Sequence, residues 1–163
     1  MKRWLLAAAL LAAAPAAAQQ ATFTNPILYA DYSDPDVIRV GSDYYMVASS
    51  FHFSPGIPIL KSRDLVHWRI VGHVLPKLPF GPLYGMPGPH TLTDKISKPI
   101  GGTKYASGVW APSIRHHNGL FYVYFPTPDE GIFMATALDP AGEWSTPVQV
   151  VAGPGYEDPC PFW

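Results

Sequence analysis

The chain has 163 residues, with 11 Lys plus Arg against 12 Asp plus Glu, so it lacks the basic surplus that binding a phosphate backbone requires. Its 19 prolines, 14 glycines and 13% aromatic content exclude a helical bundle and indicate short elements joined by many turns. Cys160 is its one cysteine, which leaves no internal disulfide and no cysteine-based zinc cluster.

Residues 1–18 read as a secretory signal peptide. Lys2 and Arg3 form a basic start, residues 4–14 are an unbroken apolar run, and Ala16-Ala17-Ala18 offers a small-x-small cleavage site before Gln19. A membrane anchor would need ~20 apolar residues, and this run is shorter. Residues 19–163 are then expected to be exported to the periplasm or the medium, with no membrane partner after signal removal and no nucleic-acid partner. The oligomeric state is not legible.

Beyond the leader, short runs rich in β-branched and aromatic residues alternate with Gly, Pro, Asn and Asp, the pattern of an all-β chain. Strands are predicted at 37–40, 44–49, 57–61 and 69–74, then at 113–116, 120–125, 132–137 and 148–151. Gly41-Ser42-Asp43 and His117-Asn118-Gly119 read as hairpin turns between consecutive strands.

The two sets of four repeat one another. Asp34-Pro35-Asp36-Val37 corresponds to Ala111-Pro112-Ser113-Ile114, Tyr44-Tyr45 to Phe121-Tyr122, and Asp64…Trp68 to Asp139…Trp144. A third copy begins at Asp158-Pro159. Four short strands per repeat are the signature of a β-propeller blade, with a two-sheet sandwich as the alternative. The Pro- and Gly-rich stretch 76–107 reads as a loop between blades. Closing a propeller takes four to eight blades, so the chain is expected to be a fragment covering about the first two blades and the start of the third.

The first strand of each blade lines the central channel, so equivalent positions of successive repeats point toward one axis. Asp34 and Asp158 are therefore expected to converge on one funnel, with Ala111 at the same place in the second repeat. Each aspartate precedes a proline, which is expected to hold it in extended geometry and fix its direction; an ordinary Asp-Pro turn is the plain alternative for either alone. Converging carboxylates suit glycoside hydrolysis, in which one carboxylate activates water and a carboxylic acid protonates the leaving oxygen. Phe51, Phe53 and Trp110, near strand ends, are candidates to stack on sugar rings. His52 is a candidate hydroxyl partner, with a partly exposed structural histidine as its equal alternative. Tyr45, Phe121, Tyr122 and Trp144 are assigned to the blade core.

Several motifs in order resemble glycoside hydrolase family 43: Asn25-Pro26-Ile27-Leu28, Asp34 to Arg39, Ser49-Ser50-Phe51, Ser54 to Ile59, Ser62 to Trp68, Gly108 to Ile114, and Asp158-Pro159 with Phe162. The resemblance is nearest to β-xylosidases and α-L-arabinofuranosidases and covers almost all of the chain after the leader. It implies a five-bladed β-propeller and inversion of configuration. Asp34 then corresponds to the general base, and Asp158 to the aspartate that raises the acid's pKa and orients it. Phe51 and Trp110 correspond to aromatic residues of the sugar subsite. The family's acid is a glutamate of a later blade, and Glu130, Glu143 and Glu157 lie outside its motif. No cofactor is required, no metal ligand can be assigned, and a calcium ion in the channel is a family feature.

The resemblance thus implies an exo-acting enzyme releasing xylose or arabinose from plant-wall xylan and arabinan oligosaccharides, inactive as the fragment alone. A non-catalytic carbohydrate-binding propeller and a fructose-releasing, retaining five-bladed glycosidase are the alternatives.

Overall fold

The computed structural model describes residues 22–81, 84, 104 and 106–163; the leader expected at 1–18 and most of the 76–107 stretch lie outside the described residues. Regular structure among the described residues is β throughout. The strands are β1 (Asp36–Val40), β2 (Asp43–Val47), β3 (Gly56–Ser62), β4 (Arg69–Leu75), β5 (Ser113–His117), β6 (Leu120–Thr127), β7 (Gly131–Ala137) and β8 (Val148–Ala152). None of the described residues forms a helix long and apolar enough to cross a membrane.

The strands form two four-stranded antiparallel meanders, β1-β2-β3-β4 and β5-β6-β7-β8. Their registers match. Asp36 faces Val47 and Val40 faces Asp43 in the first; Ser113 faces Tyr124 and His117 faces Leu120 in the second. Each has an irregularity between its third and fourth strands, at Ile59/Leu60 and at Ile132/Phe133. The hairpin turns are a residue shorter than the sequence predicts, because Asp43 and His117 pair within the ladders. Asn118 and Gly119 both take positive φ, the requirement of a type I′ turn, whose twist matches that of the flanking strands.

The corner between third and fourth strands also repeats. Asp64 Oδ1 accepts the backbone N–H groups of Val66 (2.9 Å) and His67 (2.8 Å), and the Trp68 indole donates to the Leu65 carbonyl (2.9 Å). In the second sheet Asp139 Oδ1 accepts Ala141 N–H (2.9 Å), and the Trp144 indole reaches the Pro140 carbonyl (3.3 Å). A short polar side chain thus supplies the turn's acceptor and the tryptophan covers it.

The first of these corners yields a pH prediction. The His67 backbone N–H, then the His67 ring and Val66 N–H, hold the Asp64 carboxyl well below the usual carboxylate range. A carboxylate depressed in the folded state stabilises it above the unfolded pKa, ~3.9, and loses that contribution as pH falls below it. Asp64→Asn is therefore expected to be less stable than wild type at pH 7, with the gap in denaturation midpoint closing below about pH 4. A gap that stays constant from pH 7 to pH 3 contradicts this account.

One hydrophobic cluster spans both sheets. Val47, Ile57, Ile59 and Val74 from the first meet Ile114, Val123, Phe125 and Ala135 from the second, and Tyr45 packs edge-on against Phe121. Two of the four aromatic core assignments need correction. Trp144 is half-buried and packs on the cluster from outside, because its indole caps a turn. Tyr122 is half-buried on the other face of β6, with its ring against Trp163, because strand alternation turns it away from Phe121 and Val123. At the start of the 76–107 stretch, Leu78 and Phe80 pack on the cluster, Phe80 against Phe133. Tyr84 donates its hydroxyl to Glu130 and Lys104 pairs with Asp129, so both ends of the stretch are fastened to the β6–β7 turn.

Candidate active site

Between the start of β1 and the end of β2 the chain makes a tight polar corner. Ser49 N–H donates to the Ser33 carbonyl (2.9 Å), which brings Asp34 beside Ser49. Asp34 Oδ2 then accepts two hydroxyl hydrogen bonds, from Ser33 (2.8 Å) and Ser49 (2.6 Å). Ser49 Oγ in turn accepts Ala111 N–H (2.7 Å), so one hydroxyl ties the carboxylate to the second sheet.

The backbone at Asp34 differs from the sequence expectation. Its φ is 50°, and that of Asp158 is 49°; both lie in the left-handed region, where extended geometry was expected from the following proline. Aspartate tolerates this region better than most residues, and at Asp34 the hydrogen bonds to Ser33 and Ser49 over-determine the position. Ala111, their counterpart in the second repeat, is absent from the positive-φ residues. Residues held in such sparsely populated conformations cluster at functional sites.

Phe51 is a third left-handed residue (φ 49°). It is clamped by a reciprocal pair of backbone hydrogen bonds with Val109, N–H to carbonyl at 2.9 and 3.0 Å. The clamp requires Gly108, where an added Cβ would lie 1.9 Å from the Phe51 carbonyl oxygen. Trp110, next in line, donates its backbone N–H to the Pro126 carbonyl (3.1 Å) and its indole N–H to the Ala106 carbonyl (2.7 Å). The stretch preceding β5 thereby fixes the backbone of both aromatic residues and the indole of Trp110.

Asp34, Phe51, Trp110 and Asp158 line one open cleft of about 430 Å³, together with Ser33, Ala111 and Glu157. A smaller adjoining cavity of about 250 Å³, on the side of Asp36 and Arg115, shares Asp34, Ala111 and Asp158. The cleft lining omits the other two sugar-contact candidates. Phe53 is 63% exposed and its ring rests against His52 at 4.4 Å. A groove of about 520 Å³ lies elsewhere, at the Asp64 corner between β3 and β4; its one carboxylate is committed to that turn, so no carboxylate pair is available for acid–base work.

Arg115 holds the terminal segment in place, a role the sequence reading missed. Its Nη1 donates to Asp36 Oδ2 (2.5 Å), its Nε to the Pro161 carbonyl (3.0 Å) and its Nη2 to Cys160 Sγ (3.1 Å). Asp36 also accepts Ile114 N–H (2.8 Å). One guanidinium therefore joins β1, β5 and the segment that carries Asp158. Among the described residues no group of three or more His, Cys, Asp or Glu side chains is arranged to hold a metal.

The family model for glycosyl hydrolases family 43 matches residues 23–163. The chain is 40% identical over 144 residues to a non-reducing end alpha-L-arabinofuranosidase of Bacteroides ovatus, covering 86% of this chain and 24% of that protein. It is 38% identical over 143 residues to a beta-xylosidase of Formosa agariphila, covering 87% and 22%. It superposes on the solved structure of Bacteroides ovatus Xyloglucan PUL GH43B with a TM-score of 0.64 at 39% identity, over 84% of this chain and 24% of that one. The chain thus spans about a quarter of the length of the relatives it matches.

Proposed function

The chain belongs to glycosyl hydrolase family 43, and from that premise we propose that the complete protein is an exported, inverting, exo-acting glycosidase. It releases xylose or arabinose from xylan or arabinan oligosaccharides. The observation that carries this reading is a cleft in which a doubly hydrogen-bonded carboxylate, Asp34, faces the aromatic side chains of Phe51 and Trp110 with Asp158 alongside.

In the proposed reaction Asp34 takes a proton from a water molecule, whose oxygen attacks the anomeric carbon from the face opposite the leaving group. The bond to the leaving oxygen breaks, and a glutamic acid from chain beyond residue 163 protonates that oxygen. Base and acid stand ~6.5–9.5 Å apart, leaving room for the water. Asp158 orients this acid and, by its charge, disfavours the acid's ionisation. Phe51 and Trp110 offer apolar faces to the sugar ring.

The two sheets are read as the first blades of a five-bladed propeller, with residues 1–18 as its secretory signal. The exposed Leu138, Val148, Val150, Phe162 and Trp163 support this, because they leave apolar surface on the later part of the chain for further blades to cover. Residues 19–163 alone are proposed to be inactive, since the acid is read as a glutamate of a later blade.

Proton NMR of the first product formed from an aryl β-xyloside or aryl α-L-arabinofuranoside tests the reading. The expected product has the opposite anomeric configuration to the substrate. Retained configuration would assign the protein to a double-displacement mechanism, with carboxyl groups ~5–5.5 Å apart. Binding of the sugar without release of product would assign it to the carbohydrate-binding class.

A further inference from the structure

We infer that Ser49 is the positioning residue of the base: its hydroxyl fixes which oxygen of Asp34 meets the water, and it is itself oriented by Ala111 of the second repeat. The inference rests on the reading of Asp34 as base.

A serine hydroxyl has one proton to donate and lone pairs to accept with. Ala111 N–H can only donate, so at 2.7 Å it occupies a lone pair of Ser49 Oγ. The hydroxyl proton is thereby left for Asp34 Oδ2, 2.6 Å away. Ser33 donates to that same oxygen at 2.8 Å. Among the described residues none donates to Oδ1, which is left to accept a proton from water.

The site is built to hold still. Ser49 is 8% exposed and follows β2, an interior strand paired on both sides. Its backbone N–H is tied to the Ser33 carbonyl, so both hydroxyls that grip Asp34 belong to one hydrogen-bonded corner.

The second repeat serves as an internal control. Continuing the matched registers by two residues, from Val47 and from Tyr124, sets Ser49 against Pro126. The repeat that carries the aspartate has a hydroxyl at this position; the repeat that carries Ala111 has a proline, with neither hydroxyl nor N–H. The hydroxyl therefore goes with the carboxylate rather than with the blade. Ala111, at the carboxylate's own place in the second repeat, supplies the N–H that orients it.

The test compares Ser49→Ala, Ser33→Ala and Asp34→Ala in the complete protein, each alone, plus Ser49→Ala combined with Asp34→Ala, using aryl glycosides. Misplacing a reacting group by about 1 Å costs on the order of 10²-fold. Ser49→Ala is expected to lower kcat by about 10- to 10²-fold at unchanged KM, and Ser33→Ala to lower it less. Because Ser49 acts through Asp34, the double variant is expected to be no slower than Asp34→Ala alone. A folded Ser49→Ala enzyme with wild-type kcat overturns the inference, as does a further loss in the double variant equal to that in the single one. If Ser49→Ala does not fold, Ser49→Cys decides, since a thiol fills nearly the same space but is only a weak donor; an unchanged kcat there overturns the inference. Wild-type turnover by Asp34→Ala instead overturns the reading of Asp34 as base, a separable result.

Discussion

Replacing Asp34 by alanine in the complete protein is expected to lower kcat by about 10²–10⁴-fold, the usual contribution of a positioned general acid or base, while sugar affinity is kept. The reason is a division of labour within the cleft. Phe51 and Trp110 hold their places through backbone contacts with Val109 and Pro126, not through the carboxylate, so the apolar faces offered to a sugar survive its removal. The hydroxyls of Ser33 and Ser49 lose their acceptor, and alanine fits a φ of 50° less well than aspartate does. Some loss of stability therefore accompanies the loss of rate. Asp34→Asn separates the two, because asparagine tolerates the left-handed region and keeps a side-chain acceptor but is a far poorer base. Calorimetric titration with a xylo-oligosaccharide, beside steady-state rates on an aryl xyloside, checks both halves. Wild-type turnover in either variant would remove Asp34 from the mechanism, and loss of binding in both would make it a ligand rather than a base.

Gly108→Ala is expected to be the most damaging single methyl in the described chain outside the strands. The added carbon would sit 1.9 Å from the Phe51 carbonyl oxygen and 2.9 Å from its carbonyl carbon. Both are backbone atoms, so no rotamer change relieves the clash and the Phe51–Val109 pair must part. Two hydrogen bonds at ~0.5–1.5 kcal/mol each, plus ~1–3 kcal/mol of overpacking, give a destabilisation of about 2–6 kcal/mol. Parting the pair also shifts Phe51 and the adjoining Trp110, so surviving enzyme is expected to show a raised KM. Gly119→Ala is the control. Its φ of 79° strains a side chain, but open space surrounds it, so a cost of about 1 kcal/mol is expected. Chemical denaturation of the two variants checks the contrast, and equal costs would show that the close approach at Gly108 carries no weight.

Much of the fold was legible because strands in a meander announce themselves locally. Alternating β-branched and aromatic residues between turn signals placed all eight strands to within two residues. The repeat foretold that the two sheets would share a plan, which their matching registers show. Where the reading erred, a longer-range interaction had overruled a local rule. Proline after Asp34 and Asp158 favours extended backbone, yet both residues are left-handed. Residues 44–49 read as one strand, but β2 ends at Val47, because Ser49 turns away to bond Ser33 and Ala111.

The site divides along the same line. The family, the all-β class and the candidates Asp34, Asp158, Phe51 and Trp110 were readable from the letters, since each belongs to a short motif whose order along the chain carries the information. Which candidates share a cleft depends on packing between the sheets: Asp34, Phe51, Trp110 and Asp158 line it together, and the lining omits Phe53 and His52. The tertiary structure alone gave roles to Ser49, Gly108 and Arg115, whose partners lie far along the chain at Ala111, Phe51 and Asp36. A serine, a glycine and an arginine are unremarkable letters in a sequence. Their importance is a matter of distance, and distances between remote residues exist only once the two sheets have packed on their common core.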